Sequence, residues 1–154
     1  MAIAPPKGKL MNITTGGIAA LAATLLALPA FAGEHIKVVE RPLGETTVDL
    51  GLKGDSVGDM LVFANGVFDA ANKIQVGTDQ GYCVRVVVAK SWECNWTLIL
   101  KSGQITVEGP FLDEGDSLFA VTGGSGKYAG AKGSMKLHPR DAKSTSYDFA
   151  YDLL

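Results

Sequence analysis

Histidine and cysteine are both scarce in this chain of 154 residues, with two of each. His35 and His138 stand alone, with no other His, Cys or carboxylate at ligand spacing, so no metal site is expected. No Lys/Arg run of nucleic-acid length occurs and the net charge is −2, which excludes nucleic acid as a partner class. From Glu34 onward no 3.6-residue apolar period exceeds two turns, which excludes a helical bundle. Phosphate-binding loops are missing as well. In the glycine-dense run Val121 to Gly133, Val121 stands where a Walker loop needs its first glycine and Tyr128 where it needs Ser or Thr. A dinucleotide fingerprint starting at Gly124-Ser125-Gly126 meets Ala129 at its third position and is followed by an alternating segment, not a helix. No serine sits in a nucleophile-elbow context, and Asp113-Glu114-Gly115-Asp116 lacks the spaced ligands of a calcium loop, so it reads as a turn. No cofactor is expected.

What is present begins with an export signature. Lys7 and Lys9 precede an apolar stretch from Ile18 to Leu28, and Ala30-Phe31-Ala32 supplies a small-x-small cleavage site. Residues 1–32 are therefore read as a signal peptide and 33–154 as the mature chain, periplasmic or secreted, with no membrane span after the signal is removed. Removal takes away two lysines and no acid, leaving 12 Lys+Arg against 16 Asp+Glu, a net charge of −4. About 120 residues suffice for one hydrophobic core and not for two domains. In an exported chain Cys83 and Cys94 are a natural disulfide. If Val86 and Ser91 flank a four-residue connection, antiparallel pairing sets Arg85 opposite Trp92 and Cys83 opposite Cys94. A pair of free, buried thiols is the alternative.

Period-two alternation recurs throughout the mature chain. Tyr147, Phe149, Tyr151 and Leu153 oppose Ser146, Asp148, Ala150 and Asp152, and Trp92, Cys94, Trp96, Leu98 and Leu100 stand against Glu93, Asn95, Thr97 and Lys101. Ile105, Val107 and Phe111 form a further inward set, joined to the previous one through Lys101-Ser102-Gly103 as a hairpin. Further strands are expected over Ile36–Glu40, Thr46–Leu52, Met60–Phe68, Tyr82–Val88, Ser117–Thr122 and Gly133–Leu137, with the glycine run as a barrel corner. Eight to nine short strands in an all-β chain point to a closed antiparallel barrel, because closure removes exposed edges; a sandwich is the alternative.

The segments Asp55-Ser56-Val57-Gly58-Asp59, Phe63-Ala64-Asn65, Gly81-Tyr82-Cys83-Val84, Val107-Glu108-Gly109-Pro110-Phe111 and Leu118 to Gly126 carry a family pattern. Over about 100 residues the chain resembles the allene oxide cyclase and dirigent barrel superfamily, nearest its allene oxide cyclase-like branch. The resemblance implies an eight-stranded antiparallel up-and-down barrel of lipocalin-like architecture, often a homotrimer, with a hydrophobic lumen open at one end. It further implies that Asn65 matches the lumen asparagine of the plant cyclases and Cys83 their lumen cysteine, and that Phe111 replaces the tyrosine of their Gly-Pro-Tyr motif. Glu40 is the candidate for their first-strand carboxylate, provided that the connection near Pro42-Leu43-Gly44 is about five residues shorter. These departures argue against allene oxide cyclase activity itself.

The expected function is binding of a hydrophobic small molecule in the lumen, without redox or metal chemistry. Asn65, Arg85, Trp92, Trp96 and Phe111 are the candidate ligand-binding residues, with Arg85 stacked on Trp92 offering charge to a ligand carboxylate. The alternative is a cofactor-independent cyclase or isomerase, or a dirigent-like guide, with Glu40 and Asn65 as candidate catalytic residues. A surface-interaction protein with a filled lumen is the third reading.

Overall fold

The computed structural model describes residues 33–154; the expected export segment lies outside them. Nine strands run in chain order: β1 (Glu34–Arg41), β2 (Glu45–Val48), β3 (Met60–Asp69), β4 (Gln75–Val87), β5 (Ser91–Leu100), β6 (Gly103–Leu112), β7 (Ser117–Gly126), β8 (Gly133–Pro139) and β9 (Tyr147–Leu153). From β3 to β9 each strand pairs antiparallel with its chain neighbours. β1 then pairs with β9, from Glu34 opposite Leu153 to Glu40 opposite Tyr147, and also with the far half of β3, which closes the barrel. β2 lies along the other half of β3. β1 and β2 thus share one position, and nine strand segments build an eight-stranded barrel.

The interruption between β1 and β2 has a local cause. Pro42 has no N–H to give a ladder. Three residues, 42–44, face only two on β3, since Arg41 sits opposite Gly66 and Glu45 opposite Phe63. That extra residue is a bulge, and it switches which parity points inward. Glu40 and Glu45 both reach the lumen as a result, although their spacing is odd.

Several boundaries differ from the expectation. β4 begins at Gln75, seven residues before Tyr82, although Gly77 and Gly81 look like turn punctuation. They are there because β5 passes too close for a side chain: a Cβ on Gly77 would lie 2.3 Å from the Ile99 carbonyl oxygen, and one on Gly81 2.3 Å from Trp96 Cβ. β2 stops at Val48 instead of Leu52. The chain then turns out through a loop braced by Asp59, whose carboxylate accepts from the Leu50 and Ser56 N–H groups, both at 2.8 Å. These bonds hold the Asp59 carboxyl below its usual range. The glycine run is also longer in strand than expected, with β7 continuing to Gly126 and the corner confined to 127–132.

Inward residues fill one half of the barrel completely. Val67, Leu98, Ile105, Phe119, Met135 and Tyr151 are all buried there. Trp96 packs edge-on against Phe119 at a centroid distance of 4.3 Å and forms the floor beneath a space in the other half.

Candidate functional site

The unfilled half holds a cavity of about 120 Å³ that opens to solvent. Its apolar wall is Leu61, Phe63, Phe111, Leu137, Phe149 and Trp96, and its polar edge is Glu40, Glu45 and Tyr147. Cys83 and Cys94 complete the wall as a cross-strand disulfide between β4 and β5, on the rung expected from the hairpin count. The bulge at Val86 shifts only the end of that hairpin, where Val87 instead of Val86 meets Ser91. The free-thiol alternative is thereby removed, and with it a lumen thiol. Closing a loop of about 12 residues stabilises the fold by roughly 3 kcal/mol in the chain-entropy picture.

Glu40, on β1, lines this edge, and Asn65, on β3, stands behind it; Asn65, expected as a ligand-binding residue, touches Glu40 and is not part of the cavity wall. Asn65 Nδ2 donates to Glu40 Oε1 at 2.6 Å, while Asn65 Oδ1 accepts from the N–H groups of Leu43 and Gly44, each at 3.0 Å. One amide therefore ties the broken strand to β3 and orients the lumen carboxyl. Glu40 is 4 % exposed and Asn65 3 %. Burial pushes the Glu40 carboxyl well above the usual carboxylate range, the charge of Asp79 adds to this, and the Asn65 hydrogen bond opposes it. Glu45 stands at the rim, and partial burial raises its carboxyl too.

Asp79, on β4 directly opposite Asn65, was not singled out from the sequence. It is fully buried and neither carboxylate oxygen has a hydrogen-bond partner among the described residues. Burial raises its pKa to about 7, reinforced by the charge of Glu45; the N–H groups of Asn65 and of Asp79 itself lie near enough to moderate the shift without reaching hydrogen-bond geometry. Tyr151 OH and the Trp96 indole N–H are likewise buried without partners. Burial raises the Tyr151 phenol, and the nearby carboxyls Asp79 and Glu40 raise it further. Glu40, Asp79 and Tyr151 thus feel one another's charge in the same interior region.

Arg85 and Trp92 stack as expected, with the guanidinium carbon 4.0 Å from the ring centroid. They lie outside the cavity wall. Arg85 Nη1 donates to both oxygens of Asp113 at 2.7 and 2.8 Å, and its Nε lies 2.7 Å from Asp55 Oδ1, an ion pair whose angle is too poor for a hydrogen bond. This charge is spent on two loops at the barrel end. Trp96 and Phe111 do reach the cavity.

A family model for allene oxide cyclase matches residues 42–141. Among solved structures, a pyocyanin demethylase aligns at 25% identity and TM-score 0.69, over 79% of this chain and 100% of that one. A pterocarpan synthase dirigent protein aligns at 13% identity and TM-score 0.65, over 79% and 92% of the two chains. A Diels-Alderase from Streptomyces koyangensis aligns at 14% and 0.62, over 79% of this chain and 63% of its own. The last two likenesses concern the fold alone. Since the family match spans well over half of its length and falls on the barrel just described, this chain belongs to the allene oxide cyclase family.

Proposed function

We propose that the barrel binds a hydrophobic small molecule in its lumen. The observation that carries this reading is an apolar cavity, open at one end, with one oriented carboxyl on its edge. An empty apolar cavity of about 150 Å³ takes up benzene, so a space of this size accepts one ring of a ligand whose remainder projects through the mouth. The likeness to a pyocyanin demethylase over that protein's entire length supports a small-molecule ligand. A lumen packed shut is the reading this cavity disfavours.

The second reading is a cofactor-independent cyclase or isomerase, or a dirigent-like guide, and the Glu40–Asn65 contact favours it. A carboxyl that burial inclines toward its protonated form, as at Glu40, can donate to an oxygen on which negative charge develops; once ionised, it steadies positive charge on carbon. Holding the ring against Trp96 and Phe111 supplies orientation. Residues 1–32 fit this picture as an export signal, because the disulfide suits a non-reducing compartment. A homotrimer is proposed on the outer β3–β4 face, where Val62 and Tyr82 are exposed side by side.

Titration with an environment-sensitive aromatic probe, read also through Trp96 emission, tests the binding reading. Saturable binding that small apolar competitors displace is expected, and failure of the folded protein to bind any probe would sink it. Glu40→Gln is expected to keep probe binding within about threefold while abolishing any turnover found, since it keeps the hydrogen-bonding shape and removes the proton.

A further inference from the structure

The charge around this lumen has one sign. Glu40 and Glu45 stand on its wall, Asp79 lies behind Asn65, and among the described residues no Lys, Arg or His lines the cavity. The nearest buried guanidinium, Arg85, is already held by Asp55 and Asp113 outside the wall. Five aromatic rings, Phe63, Trp96, Phe111, Tyr147 and Phe149, make up much of the remaining surface. Ring faces attract cations and not anions, and the attraction grows when the site is dry. A metal ion does not fit this arrangement: among the described residues no three His, Cys, Asp or Glu side chains converge closely enough to hold one.

We infer that the lumen selects a planar aromatic ligand bearing a positive charge, such as a quaternised or protonated nitrogen heterocycle, and disfavours a carboxylate-bearing ligand of the same shape. The inference rests on the small-molecule reading above and names the class of ligand. An anion entering here meets carboxyls and ring faces with no donor cation to receive it, whereas a cation meets both an aromatic cage and a counter-ion.

Proton linkage gives the inference a signature. The titrating groups on the wall are Glu40 from β1, Glu45 from β2 and the phenol of Tyr147 from β9; Asp79 from β4 and the phenol of Tyr151 from β9 are buried beyond the wall, and β3, β5, β6 and β8 contribute no titrating group to it. Both phenols titrate above their ordinary range and stay neutral, so the carboxyls alone respond near neutrality. Burial favours the protonated forms of Glu40 on the wall and of Asp79 behind it, and an arriving cation favours the ionised forms, so its affinity rises with pH and its binding releases protons.

The test uses three rings of one shape with the mature protein: N-methylquinolinium, 1-methylnaphthalene and 1-naphthoate, by calorimetry at about pH 5.5 and about pH 8 in buffers of differing ionisation heat. The expected order at the higher pH is the cation roughly tenfold tighter than the neutral ring, with the anion weakest. Only the cation should tighten as pH rises and release protons. Glu40→Gln should lower cation affinity about tenfold and leave the neutral ring within about twofold; Glu45→Gln, at the exposed rim, does the same more weakly and guards against a folding defect. Neutral and cationic rings binding equally, or the anion binding best, would overturn the inference and leave the lumen reading intact. If none of the three binds the folded protein, both fall together.

Discussion

Asp79 is an expensive residue to keep. A fully buried carboxyl without a partner resists ionisation, and its pKa of about 7 stands against an ordinary value of 3.8. Because the folded value lies above the unfolded one, the native state holds an extra proton between them. Stability from this group is complete below about pH 4 and is lost as pH rises through about 7. Glu40 acts in the same direction. The lowered carboxyls of Asp59, Asp69, Asp116 and Asp141 work the other way, but only as the pH falls below their ordinary range. Thermal unfolding is therefore expected to show greatest stability in mildly acid solution, with a loss on the order of 2 kcal/mol between about pH 5 and about pH 8. Asp79→Asn should remove most of that loss; an unchanged slope would show that the carboxyl is ionised and paired. Asn65→Ala strips acceptors from two backbone N–H groups and the donor from Glu40, and should cost about 3 kcal/mol in chemical denaturation.

Among the elements, β4 shows best how a glycine reads one way along the chain and another across the sheet. Gly81→Ala would drive a methyl group to 2.3 Å from Trp96 Cβ and push β5 away, so a loss of roughly 1–3 kcal/mol is expected, with a shift in tryptophan emission. Emission like that of the parent protein would mean that Trp96 had not moved. The same glycines hid Asp79. Counting back by twos from Arg85 and Cys83 passes Gly81 to Asp79, so the parity was visible, but two glycines in five residues resemble a turn. The Cys83–Cys94 rung could be counted because a hairpin of known connection length sets its own register. Glu40 and Asn65 were both recognisable as polar positions in apolar strands, yet their hydrogen bond joins residues 25 apart through the β1–β3 closure, and no local pattern encodes that register. Glu45 was missed because the bulge at 42–44 reverses the parity on which alternation arguments rely.

At the scale of the whole molecule the barrel divides its interior between two jobs. The half below Trp96 is filled and carries the packing, while the half above it is left partly empty and has Glu40 and Glu45 on its wall. The net charge of −4 expected for residues 33–154 agrees in sign with that interior and favours approach of cationic solutes. The shared position of β1 and β2 also has a topological consequence. Glu34 lies opposite Leu153, so the two ends of the described chain run side by side, while the ring already has a natural gap at 42–44. A circularly permuted chain that begins at Gly44, passes from Leu153 through a short glycine-rich link to Glu34, and ends at Leu43 keeps every rung of the barrel. It is expected to fold with its cystine intact and its absorbance and emission unchanged. For this ring, the order in which the strands are synthesised is separable from the order in which they stand.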